Sequence, residues 1–81
     1  MDKIIAKRVK VVIANELSKG IPATRIAPKI GLPSQAVTHL INGTQKKPGI
    51  ALVLQMINEM KIHPKWLSGE IGTDDIILYI N

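Results

Sequence analysis

Apolar residues recur at helical spacing along most of the chain, and glycine and proline divide that pattern into five segments. The first runs from Asp2, placed to cap it, to about Lys19, where Gly20 stops it. Ile5, Val9, Val12, Ile13 and Leu17 form its inward stripe, with Lys3, Lys7, Arg8 and Lys10 around it. Ile4 and Val11 fall towards the other side. This helix is therefore apolar over a wide arc, which implies either deep burial or a self-association surface.

Two short helical patterns follow. Residues 22–30 put Ile26, Ala27 and Ile30 on one face, and residues 34–41 put Val37, Leu40 and Ile41 on another. Gly31 between them suits a chain leaving a helix in the left-handed conformation, where a side chain costs energy. Ala27 is small where two steeply crossing helices bring their backbones close, and Leu32 can plug the gap in the turn. Alanine, glycine, turn hydrophobe and two further hydrophobes three apart, all in register, make the pattern of a helix-turn-helix. Pro28, inside the first of the pair, predicts a loosened or slightly bent helix, since proline removes a backbone donor.

A fourth helix is expected over about 50–60, carrying Leu52, Leu54, Met56, Ile57 and Met60. A short fifth opens at Pro64, with Trp66 as a core anchor beside Leu67, and ends at Ser68-Gly69. The expected fold class is all-α with five helices, residues 1–70 forming the domain and 71–81 an apolar tail. In that tail Ile76, Ile77, Leu78, Tyr79 and Ile80 read as a short strand. Such a run cannot lie bare on a soluble monomer. It either folds back on helices 1 and 4 or pairs with its mate in a second chain, and we favour the dimer.

Charge adds a direction. Residues 1–47 sum to +7 and residues 48–81 to −2, which suits a polyanion facing the first three helices. There is no cysteine, so neither a disulfide nor a thiolate metal site is available. No segment has the apolar length of a membrane span, and the N-terminus lacks the form of a signal peptide. A cytoplasmic protein is the default expectation.

Residues 20–48, GIPATRIAPKIGLPSQAVTHLINGTQKKP, resemble the helix-turn-helix of the Cro and phage-repressor family, and IHPKWLSGE resembles that family's Trp-Leu ending. The similarity covers about residues 3–70. It departs at Pro22-Ala23, where the family's Thr-Gln cap and phosphate contact are missing, at Pro28, and at Pro33, which stands where a capping serine is usual. The resemblance implies a λ-repressor-like domain whose third helix enters the major groove of double-stranded DNA. With Val37 and Leu40 turned inward, Ser34, Gln35, Ala36, Thr38 and His39 would face bases, Gln35 being best suited to the edge of adenine. The loop Thr44, Gln45, Lys46 and Lys47 would lie along phosphates.

The function expected is that of a sequence-specific transcription regulator, Cro-like or of the phage-repressor type, acting as a homodimer on a palindromic operator. No cofactor, metal or small-molecule ligand is expected. The alternatives are an antitoxin or protein-interaction module on the same fold, or a restriction–modification controller. An enzyme is not expected: His39 and His63 are far apart, and there is neither a nucleophile–base pairing nor a phosphate-binding glycine loop. Asp74-Asp75 with Glu70 read as a surface turn.

Overall fold

The computed structural model describes residues 2–42 and 49–80. They form five helices, α1 (Asp2–Ser18), α2 (Ala23–Ile30), α3 (Ser34–Asn42), α4 (Ile50–Met60) and α5 (Pro64–Leu67). The fold is all-α. Among the described residues there is no strand, only a single antiparallel bridge between Ile62 and Tyr79.

One core joins all five helices. Val9, Val12 and Ile13 of α1 meet Ile26, Ala27 and Ile30 of α2, and Val37 and Leu40 of α3 close the same space. Leu52 and Met56 of α4 and the fully buried Trp66 complete it. Leu17, placed by spacing in the inward stripe of α1, is exposed in the last turn of that helix, and Leu54 of α4 is exposed as well.

The wide apolar arc of α1 has its explanation in the tail. One face of the helix, Val9, Val12 and Ile13, goes to the core; the face bearing Ile4, Arg8, Val11 and Asn15 receives the C-terminal segment. Ile4 lies where a side chain on Gly69 would otherwise sit. Val11 and Asn15 share a groove of about 310 Å³ with Asp75, Ile76, Ile77 and Tyr79.

Arg8 holds this second face together. Sequence spacing puts it in the solvated cationic rim; in the structure it is buried at 6% exposure. Its Nε donates to Asp74 Oδ1 (2.9 Å), Nη1 to the carbonyls of Trp66 and Ile71 (2.8 Å for the latter), and Nη2 to the Gly72 carbonyl (3.2 Å). The guanidinium also stacks 5.0 Å from the centre of the Trp66 ring, an attraction of cation and ring quadrupole. A buried charge is tolerated when its donors are matched in this way. Trp66 Nε1–H donates in turn to the Thr73 carbonyl (2.8 Å).

Residues 76–80 fold back on their own chain. The His63 N–H donates to the Leu78 carbonyl (2.9 Å) and the Ile80 N–H to the Lys61 carbonyl (2.7 Å). Ile77 and Leu78 pack partly against the core. Two bonds do not make a strand, and the reason lies in the partner segment. Lys61 sits at φ 60°, turning the chain out of extended geometry, and Pro64 has no N–H to continue a ladder.

Candidate nucleic-acid interface

The α2–α3 turn is built by its backbone. Gly31 takes φ 68°, ψ 30°. Its N–H donates to the Pro28 carbonyl (3.4 Å) and the Leu32 N–H to the Ala27 carbonyl (3.0 Å). This is the Schellman arrangement, which satisfies two of the carbonyls a helix end leaves open. Leu32 packs against the core beside the buried Ala27, so the turn is pinned by an apolar contact on its inner side.

Pro22 precedes α2 and gives no side-chain cap; its carbonyl accepts from the N–H groups of Arg25 and Ile26 instead. The helix runs unbroken through Pro28. That proline is exposed, so the carbonyl of Thr24, which its missing N–H would have met, can turn to water. Arg25 and Lys29 point outward on the same helix. Beyond the turn, the Ala36 N–H donates to the Pro33 carbonyl (3.0 Å) and closes the first turn of α3.

Burial of Val37 and Leu40 fixes the rotation of α3. Gln35, Thr38 and His39 are exposed, while Ser34 and Ala36 are half-buried at the margin. Asn42, also exposed, extends the outward row to positions 35, 38, 39 and 42, one continuous helical stripe. The seven-residue spacing from Gln35 would have found Asn42 in the sequence. The row offers two carboxamides, a hydroxyl and an imidazole, hydrogen-bonding groups suited to base edges. Thr44, Gln45, Lys46 and Lys47 lie outside the described residues.

The charge along this part of the chain is one-sided. From Leu17 to Asn58 the chain has no Asp or Glu and five cations, Lys19, Arg25, Lys29, Lys46 and Lys47. The cations of α1 contribute less than their number implies. Asp74 holds Arg8 and also meets Lys7 Nζ at 3.1 Å. Hydrogen bonds from Lys7 and then Arg8 hold the Asp74 carboxyl below the usual carboxylate range.

No family model matches the chain, and no curated protein or solved structure matches it. Among the described residues there is no group of acidic or histidine side chains placed to hold a metal ion, and no helix long and apolar enough to cross a membrane. His63 serves the fold, its Nδ1 accepting from the Lys65 N–H (3.2 Å) to cap α5. The five tail residues are divided. Ile77 and Leu78 are half-buried, whereas Ile76, Tyr79 and Ile80 are exposed.

Proposed function

We propose that the chain is a sequence-specific DNA-binding regulator with a λ-repressor-like domain, a Cro-like or phage-type repressor that binds a palindromic operator as a homodimer. The observation that carries this reading is the outward row of α3. Its rotation is pinned by Val37 and Leu40, its exposed positions all carry hydrogen-bonding side chains, and it lies in a 42-residue stretch without a carboxylate. Hydrogen-bonding side chains without a carboxylate at the centre, with cations near them in the sequence, match a base edge between phosphates.

In this reading α3 lies in the major groove. Gln35 pairs with adenine, Thr38 and His39 contact neighbouring bases, and Ser34 and Ala36 fit at the helix start, the alanine against a thymine methyl. Thr44, Gln45, Lys46 and Lys47 run along the phosphates. No chemistry is performed, and control follows from occupancy of the site.

Selection of bound sequences from random DNA, followed by sizing of the complex, tests the proposal. Enrichment of a two-fold symmetric site is the expected result. Recovery of unenriched DNA with no salt-dependent binding refutes it. A second reading, a protein-interaction module of the antitoxin kind, draws on the exposed Ile50, Leu54 and Ile76. A stoichiometric polypeptide copurifying with the chain would favour that reading.

A further inference from the structure

Of the large apolar side chains outside the core among the described residues, Ile50 is the most exposed at 79%, and Leu54, one helical turn on, is 52% exposed. Ile57 continues their row half-buried. A row at i, i+4 and i+7 on one side of α4 is an apolar stripe, and nothing among the described residues covers its first half.

We propose that this stripe is where a second copy of the chain docks, the two α4 helices crossing about a two-fold axis near Ile50 and Leu54. Charge selects the occupant. The chain carries +5 overall, yet no charged residue lies between Lys47 and Glu59. Beside a two-fold axis a side chain meets its own copy and a charge there would face its like, so the uncharged run before Glu59 suits the position nearest the axis.

Distance agrees, and this part of the argument rests on the DNA reading above. α2 packs against both α3 and α4, while α3 and α4 share little contact. With packed helix axes about 9 Å apart, the path from α3 through α2 and α4 to the axis spans about 16 Å at a right-angled bend and about 22 Å when straight. The two α3 helices then stand roughly 32–45 Å apart, which brackets the 34–36 Å of one DNA turn.

The tail is the less suitable surface. Its inner edge is occupied by residues 61–63, at the far end of α4, about 15 Å from Ile50 at 1.5 Å per residue. Ile50, by contrast, follows closely on the segment that bears Lys46 and Lys47.

Sedimentation equilibrium of the full chain without DNA tests the assignment. The wild-type protein should form dimers, and Leu54→Glu should raise the dimer Kd about 30-fold or more. Both residues are exposed, so Leu54→Glu and Ile50→Glu should keep the wild-type circular dichroism. Ile76→Glu should leave the dimer intact. A Leu54→Glu protein that dimerises like wild type overturns the proposal, as does an Ile76→Glu protein that dissociates. A wild-type chain that stays monomeric, alone or while its α4 holds a different polypeptide, overturns it too. If Leu54→Glu dissociates the dimer as expected but the intact wild-type dimer binds no DNA, the surface stands and the DNA reading fails.

Discussion

Replacing Arg8 by methionine isolates what the buried guanidinium does, because methionine keeps the apolar stem and loses only the head group. Four hydrogen bonds and the stacking on Trp66 disappear together. The bond to Asp74 is open to water and screened, so it is left out of the sum. Of the carbonyls, those of Ile71 and Gly72 are partly buried and can take up water; the Trp66 carbonyl is buried and cannot. One stranded carbonyl costs about 1–3 kcal/mol, and loss of the cation–ring contact adds about 0.5–1 kcal/mol. Relief of the guanidinium's own desolvation works in the opposite direction. The two losses sum to about 1.5–4 kcal/mol before that relief, a large part of the 5–15 kcal/mol typical of a domain. For a chain of this length the melting temperature should fall by roughly 10–25 °C. Thermal unfolding followed by circular dichroism measures it, and Trp66, the only tryptophan, reports the same event by fluorescence. Arg8→Lys should fall between the two. An Arg8→Met protein that melts within about 2 °C of wild type would refute the clasp.

Gln35→Ala should weaken binding to the selected site by about 1–3 kcal/mol and leave random DNA almost untouched; equal losses on both would remove Gln35 from base reading. Lys46→Ala with Lys47→Ala should weaken binding to every sequence and lower the salt slope by roughly one unit per lost phosphate contact, measured by titration at several salt concentrations. Lys61→Gly should stabilise the fold by about 0.5–1 kcal/mol, since a left-handed lysine is strained where glycine is not; chemical denaturation decides, and a loss would mean that the lysine stem matters more. Asp74→Asn tests the acid side. Because its carboxyl is held below the usual range when folded, its pairing stabilises at pH above about 4 and is lost as pH falls through the lowered value. The variant should therefore melt below wild type at neutral pH and converge with it in strong acid, and a gap that persists there would exclude the ion pair as its cause.

The α2–α3 unit was legible because each of its parts acts locally. Gly31 fixes the turn, Ala27 and Leu32 flank it, and Val37 with Leu40 sets the rotation, all within a few residues of one another. Arg8 was not legible. Arginine is seldom fully buried, and its acceptors lie 58 to 66 residues away, where no periodicity reaches. The only local sign was the apolar arc of α1, which implies burial or self-association without naming an occupant. The tail misled in a different way. Its β-branched run has the composition of a strand, but strand formation depends on the partner, and residues 61–63 between a left-handed lysine and a proline offer room for one bridge.

The clasp between Arg8 and residues 66–74 also governs when the molecule can become itself. A nascent chain on the ribosome has α1 to α4 in hand well before residue 74 emerges, yet Arg8 then has no acceptors and the outer face of α1 is bare. Closing a loop of that length costs about 4 kcal/mol of chain entropy, so the clasp forms only once the neighbouring helices have shortened the gap. A product released early would carry the α2–α3 unit on an open scaffold with an unmatched cation, prey for proteases. Interrupted synthesis should therefore leave few such fragments intact. Residues far from the α2–α3 turn in this way decide how late its scaffold is completed.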